Sequence, residues 1–115
     1  MTLILTATAS AASLVLPNER YGNAEGCAFL ETGALDGDTL RYLKRDELSS
    51  YGSGCSIVEV HADAAGNQRA EGICHYEGED MLGAEDFVVA APRPDGAIRI
   101  YTAAGEIWGE LEPCS

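Results

Sequence analysis

Two histidines, His61 and His75, lie on the two arms of a predicted hairpin and are the first residues to consider for chemistry. Imidazoles act as general bases or as metal ligands, and carboxylates stand nearby at Glu59, Glu71 and Glu77. There is no ligand spacing such as H-x-x-x-H, and a slip of one residue in the hairpin register would place the two rings on opposite faces. We therefore interpret both as surface histidines and predict no metal site and no cofactor.

The segment from Glu71 to Asp86 is strongly acidic and contains no Lys or Arg. Its carboxylates are Glu71, Glu77, Glu79, Asp80, Glu85 and Asp86. Such oxygens suit calcium, but their spacing matches no EF-hand loop, and Asp36-Gly37-Asp38 does not continue into one either. A solvated acidic loop is the simpler interpretation, and calcium binding by it stays an open alternative.

A serine between two glycines, Gly52-Ser53-Gly54, is the remaining sign of a nucleophile. A nucleophile elbow requires Gly-x-Ser-x-Gly between a strand and a helix, whereas here the glycines adjoin Ser53 and Cys55 follows. A turn that enters a strand explains the segment better. Carboxylate pairs for glycoside hydrolysis are not excluded by counting, but 115 residues leave little chain for a substrate cleft. We predict no catalytic residues and no enzymatic activity.

Four widely spaced cysteines, Cys27, Cys55, Cys74 and Cys114, form no C-x-x-C pair. Zinc ribbons and thioredoxin-like sites need close-set cysteines, whereas an even number of distant ones in a small exported chain is typical of disulfides. The sequence therefore predicts two disulfides, each worth roughly 2–4 kcal/mol. Three pairings are open. We expect the sequential one, Cys27–Cys55 and Cys74–Cys114, because it ties down each half of the chain and the last strand.

The net charge of the chain limits the classes of partner that it can bind. The chain has 19 acidic and 7 basic residues and a formal net charge of -12, and the first charged residue is Glu19. With no basic surface to neutralise phosphates, we expect no nucleic-acid partner and no docking on anionic lipid. No stretch approaches the roughly 18 apolar residues of a membrane span, so we expect no membrane insertion. The acidic surface favours a basic protein as partner, while the oligomeric state stays open.

Residues 1–13 differ from the rest of the chain, because they carry no charge and end in small-x-small triplets such as Ala9-Ser10-Ala11. Such triplets precede the cleavage site of a signal peptide, although the apolar run Leu3-Ile4-Leu5 is short and no Lys or Arg precedes it. We expect residues 1–13 to be the remnant of an export signal or a disordered tail. Residues 14–115 are then one small domain, located in the periplasm or secreted.

Short alternating segments separated by Gly, Asp and Asn make up the rest of the chain. Strands are predicted at 27–32, 39–44, 56–62, 69–76, 86–91, 97–102 and 106–111, with a single helical turn capped by Asp46 at 45–50. Turns at 64–68, 95–96 and 103–105 join the later strands into hairpins. Six to eight short strands without a long helix predict an all-β fold. We expect a small antiparallel β-barrel, or a compact two-sheet sandwich, stapled by two disulfides.

Two aromatic residues, Tyr101 and Trp108, lie on adjacent predicted strands around the turn at 103–105. The default position of such residues is the core or a half-buried sheet face. If both point outward, they form an amphipathic patch suited to gripping a partner.

Two short motifs resemble a known family. Tyr51-Gly52-Ser53-Gly54 resembles the Ser-Gly-Ser-Gly loop of the periplasmic lysozyme inhibitors of the membrane-bound C-type class, and Tyr-Thr-x-x-Gly-x-x-Trp at 101–108 is similar to their second motif. Those inhibitors are small disulfide-bearing β-barrels that insert loops into the lysozyme cleft, so the resemblance implies a partner contact at Ser53. The sequence departs from the family at Gly109-Glu110, where the inhibitors carry a basic residue.

Together these features predict a small exported acidic binding or inhibitor protein, whose surface attracts a basic partner such as a lysozyme or another secreted enzyme. The expected partner contacts are Ser53, Tyr101 and Trp108. A structural domain associated with the envelope, without catalytic activity, is the alternative. A calcium-dependent or hydrolytic protein built on the acidic segment is a third.

Overall fold

The structure, a computed structural model, describes residues 10–35 and 37–114. Its strands are β1 (Ser10–Ala11), β2 (Arg20–Gly22), β3 (Arg41–Lys44), β4 (Glu47–Ser50), β5 (Ser53–Ala62), β6 (Gln68–Tyr76), β7 (Gly83–Val89), β8 (Ile98–Thr102) and β9 (Ile107–Pro113). One helix, α1 (Ala24–Thr32), lies between β2 and β3. No helix of the described residues is long and apolar enough to cross a membrane.

Strands β2 to β9 form a closed antiparallel barrel of eight strands, in the order β5-β4-β3-β2-β9-β8-β7-β6. Pairing of β5 with β6 closes the ring, and the ten-residue β5 is long enough to pair with β4 at one end and with the short β1 at the other. Within the described residues, closure leaves no long free strand edge to pair with another chain. The predicted all-β barrel is therefore confirmed, rather than the sandwich.

Inward-pointing side chains alternate along the strands and fill the barrel. In β6, for example, Gln68, Ala70 and Cys74 are buried, whereas Arg69 and Ile73 between them are exposed. The buried core residues are Leu14, Leu16, Tyr21, Leu43, Leu48, Cys55, Ile57, Val60, Ala70, Cys74, Phe87, Val89, Ile98, Ile100 and Leu111. The strand periodicity of the sequence thus specifies which face of the sheet is the core.

The segment before β2 closes one end of the barrel. Leu14 and Leu16 are only 1% and 6% exposed, and the backbone N–H of Leu14 donates to the carbonyl of Arg45 at 2.7 Å. The buried amide of Gln68 accepts from the N–H of Val15 at 2.8 Å and donates to its carbonyl at 2.9 Å. We call this the closed end. The open end is the opposite one, where the turns at 51–52, 77–82 and 103–106 lie.

Helix α1 replaces the strand predicted at 27–32, and that prediction is wrong. The Asn23 side chain accepts from the N–H of Gly26 at 2.8 Å and caps the helix, and Gly33 ends it in the left-handed conformation at φ 75°. Gly26 lets the helix approach β3, since a Cβ there would lie 1.9 Å from the carbonyl oxygen of Arg41. Phe29 then stacks on Tyr42, with ring centroids 5.9 Å apart.

The helical turn predicted at 45–50 is also wrong, because Glu47–Ser50 is strand β4. It pairs with β3 on one side and with β5 on the other, and its central residues Leu48 and Ser49 are buried. A single turn of helix makes few hydrogen bonds of its own, so pairing on both sides is the more stable arrangement for this segment.

Two disulfides are present, as predicted, but the sequential pairing is wrong. Cys55 and Cys74 face each other across β5 and β6, with Cα atoms 4.0 Å apart. Cys27 on α1 pairs with Cys114 just after β9, with Cα atoms 5.3 Å apart, because β2 places the start of the helix beside the end of the chain. No described cysteine is free. Intramolecular disulfides of this kind are typical of extracellular and periplasmic proteins.

Part of the predicted export-signal remnant, residues 1–9, lies outside the described residues, as does Asp36 of the Asp36-Gly37-Asp38 motif. Of the remaining residues of the predicted remnant, Ser10 and Ala11 form β1 and pair with His61 and Val60 of β5.

Candidate functional site at the open end of the barrel

A cavity of about 780 Å³ lies at the open end of the barrel. It is lined by Leu48, Ser53, Cys55, Tyr76, Ala84, Glu85, Asp86, Phe87, Thr102, Ala103, Ala104 and Trp108. The lining combines aromatic and aliphatic side chains with the carboxylate of Glu85 on β7. Clefts of this size that are largely apolar and carry a few polar groups are the usual form of binding sites in proteins.

Trp108 is the largest side chain in this cavity, and a β-bulge directs it there. The β8–β9 register steps from Ile100 opposite Gly109 to Tyr101 opposite Ile107, which leaves Trp108 as the extra residue. Its ring meets that of Phe87 edge to face, with centroids 6.2 Å apart.

A cationic side chain, that of Arg41, touches Trp108. The guanidinium of Arg41 lies 5.1 Å from the centre of the Trp108 ring and also donates a hydrogen bond to the backbone carbonyl of Trp108. These two contacts fix the indole from the side of β3. Contacts with Arg41 and Phe87 therefore constrain the Trp108 ring, which is not a freely rotating surface side chain.

A polar pair, Tyr76 and Glu85, also lines the cavity. The Tyr76 hydroxyl donates to the carboxylate of Glu85, and this hydrogen bond, together with burial, raises the pKa of Tyr76 to about 12. This contact holds the Glu85 carboxylate beside the Tyr76 ring in the cavity lining. The cavity lining thus combines one carboxylate, that of Glu85, with the aromatic rings of Tyr76, Phe87 and Trp108.

The turns around the cavity carry both apolar and acidic side chains. Met81 and Leu82, at the tip of the β6–β7 turn, are 79% and 67% exposed. Tyr51 in the β4–β5 turn and Ile107 at the start of β9 are also exposed. Acidic residues of the same turns are Glu77, Glu79, Asp80 and Glu106. Large apolar side chains are rarely left exposed in a group at one end of a domain without a binding role.

The structure brings two of the three predicted partner contacts together. Ser53 and Trp108 line the same cavity, and the Ser53 hydroxyl lies 2.6 Å from that of Ser50. Tyr101 pairs with Val88 on β7, is half-buried and does not line the cavity. Tyr101 and Trp108 therefore do not form the single outward patch that their spacing suggested, because the bulge at Trp108 interrupts the alternation.

Both histidines lie on the outer face of the β5–β6 hairpin, but near its opposite ends. His75 is opposite Gly54 and lies over it, so that a Cβ on Gly54 would be 2.8 Å from the imidazole Cε1. His61 is opposite Arg69 near the closed end. The two imidazoles do not share a site.

The acidic segment 71–86 is not one loop, and that interpretation is corrected. Glu71 lies within β6 and faces Asp86 of β7, while only residues 77–82 form the connecting turn. The carboxylates are thus distributed between the outer face of the barrel, the cavity and the turn at the open end.

Comparisons of this chain with protein-family models, with curated proteins and with solved structures gave no match. What the site does is therefore inferred from its own geometry and charge.

Proposed function

We propose that this protein is an exported, non-catalytic binding protein that docks a basic secreted enzyme on the open end of its barrel. The observation that carries the proposal is the coincidence of three features at this one end: an aromatic cavity, apolar turn tips and uncompensated acidic residues. The closed end, by contrast, is sealed by its own chain through Leu14 and Leu16.

The apolar component supplies a surface to bury. Met81 and Leu82 project from the turn beside the cavity, and Trp108 and Phe87 form an aromatic pair within it. Interfaces draw most of their affinity from a few such side chains, which become desolvated at the centre of the contact. A protruding segment of the partner that enters the cavity would cover Trp108 and meet Glu85.

The charged component favours a basic partner. In the described part of the chain, Glu77, Glu79 and Asp80 form no ion pair with a basic residue within 4.0 Å. The described arginines that pair with carboxylates do so elsewhere: Arg93 and Arg99 meet Glu110 on β9, and Arg45 meets Glu19. Unpaired negative charge around a cavity accelerates the encounter with a positively charged protein and disfavours acidic partners.

The experiment is a binding titration with a basic C-type lysozyme, chosen because of the motif resemblance and because it is a cationic secreted enzyme. Two variants with matched chemistry are compared with the parent protein: Met81→Ser/Leu82→Ser at the open end and Val58→Ser/Ile73→Ser on the barrel wall. All four side chains are exposed, so neither variant disturbs the core.

We expect the open-end variant to bind at least about tenfold more weakly, corresponding to about 1.4 kcal/mol, and the wall variant to bind like the parent. Equal losses in both variants, or a loss only in the wall variant, would place the contact elsewhere. Absence of binding at about 20 mM ionic strength, where the Debye length exceeds about 20 Å, would remove lysozyme as the partner.

A further inference from the structure

We propose that Glu59, His61 and Glu71, on the outer face of the β5–β6 hairpin, form a binding site for a divalent transition-metal ion, with Zn²⁺ as its natural probe. The site lies on the barrel wall, away from the cavity, and is independent of the proposed docking function. It is distinct from the calcium alternative raised by the acidic segment, since its donors include an imidazole nitrogen.

The three side chains converge on one point. The Nε2 atom of His61 lies 3.2 Å from a carboxylate oxygen of Glu59 and 3.7 Å from one of Glu71, and the three donor atoms all lie within 4.8 Å of one another. A tetrahedral Zn²⁺ with bonds of about 2.0–2.2 Å holds its ligand atoms about 3.3–3.6 Å apart. The donors therefore already stand close to the separations of three ligands around one ion.

Strand geometry explains the convergence. Glu59 and Glu71 are directly opposite each other across β5 and β6, and the register shifts between Ile57 and Glu59. This bulge brings Glu59 opposite Glu71, while His61, two residues further along β5, lies on the same face as Glu59. The side chains of Glu59, His61 and Glu71 are 46%, 29% and 37% exposed, respectively, so an ion can reach them from solvent.

The two carboxylates oppose each other without a metal. Glu71 lies opposite Glu59 on β5 and opposite Asp86 on β7, so three carboxylates stand next to one another across the sheet. Directly opposed like charges destabilise a sheet, and a divalent ion relieves the repulsion by neutralising both. An imidazole with two carboxylates suits Zn²⁺ and other first-row transition ions, whereas Ca²⁺ prefers six to eight oxygen ligands.

The same contacts also fit direct interactions between His61 and the two carboxylates, with no metal bound. Arg69, opposite His61, forms no ion pair within 4.0 Å with the described acidic residues, so it does not pair with either carboxylate of the cluster. The two readings differ in an observable way, since only the metal site has measurable affinity for Zn²⁺.

The test is isothermal titration of ZnCl₂ into protein without an affinity tag, at pH 7.5. We expect one ion per chain. The affinity for Zn²⁺ should fall by more than about tenfold in both His61→Ala and Glu71→Gln, because loss of a residue that only supports a metal ligand already lowers affinity by about 10–100-fold. His75→Ala is the matched control, because His75 lies on the same sheet face but outside the cluster, and it should bind like the parent. Circular dichroism verifies that each variant is folded.

The disulfide-bonded cysteines offer no competing thiolate, so the histidine variants report on this site directly. Excess CaCl₂ should not displace the zinc. The proposal is overturned if the parent protein binds no Zn²⁺ at millimolar concentration, if His61→Ala and Glu71→Gln retain the parent affinity, or if His75→Ala loses as much as they do.

Discussion

The Cys27–Cys114 disulfide should carry a large share of the stability of this domain. It joins residues 87 positions apart, whereas Cys55–Cys74 joins residues only 19 apart. For a loop of that length the chain-entropy relation gives about 4.6 kcal/mol at 25 °C, against about 3.2 kcal/mol for the shorter loop. Small domains are stable by about 5–15 kcal/mol in total, so Cys27→Ala/Cys114→Ala should remove a third of that free energy or more.

The assay is urea unfolding followed by the fluorescence of Trp108, the single tryptophan of the chain. Both cysteines are only half-buried, so their replacement by alanine removes little core packing and the loss should reflect the unfolded chain. The dependence of the unfolding free energy on urea should also steepen, because the unlinked chain exposes more surface. A loss below about 1.5 kcal/mol with an unchanged slope, or a non-reduced digest that links Cys27 to Cys55, would refute the reasoning.

Three further predictions concern the barrel. Gly26→Ala should destabilise the protein by about 1–3 kcal/mol in thermal unfolding, because the added Cβ would meet a backbone carbonyl of β3. As the control, Gly83→Ala should change stability by less than about 0.5 kcal/mol, because its Cβ would make only ordinary van der Waals contacts. Gln68→Leu should lower the free energy of unfolding in urea by about 1–3 kcal/mol, because the N–H and carbonyl of Val15 lose their hydrogen-bond partner. An unchanged free energy would mean that water replaces the amide. Because the pKa of Tyr76 is raised to about 12, the folded state holds this proton more tightly than the unfolded chain, and that stabilisation is complete below about pH 10 and lost between about pH 10 and 12. Tyr76→Phe should flatten this decline, and an unchanged pH profile would contradict the contact with Glu85.

Local periodicity was sufficient to predict the barrel but not its details. The alternation in β5, β6, β8 and β9 identifies strands because it comes from residues two apart, and the turn at Asp95-Gly96 agrees with it, with Gly96 at φ 89°. Helix α1 was missed because its apolar residues form one short run, 27–30, which fits a buried strand as well as a helix, while its start and end depend on Asn23 and Gly33. Those two caps are the signal that was available in the sequence.

Contacts between distant segments could not be predicted in the same way. The disulfide pairing depends on which strands become neighbours, and Cys27 meets Cys114 only because β2 lies between β3 and β9. Trp108 enters the cavity, and Glu59 comes to lie opposite Glu71, because of two bulges. A bulge adds one residue to a strand without leaving a clear trace in composition or spacing, so both sites had to come from the structure.

The central claim, that the open end binds a basic protein through its acidic turn, is tested most directly by the salt dependence of binding in charge-matched variants. Glu79→Gln/Asp80→Asn removes two charges at the open end, and Glu31→Gln/Glu112→Gln removes two from exposed positions on α1 and β9. Affinity for a basic lysozyme is measured at about 20 and 300 mM ionic strength, which changes the Debye length from about 20 to about 6 Å. We predict that the open-end variant loses affinity and most of the salt dependence while the control keeps both. Equal behaviour of the two variants, or binding that does not respond to salt, would contradict the claim.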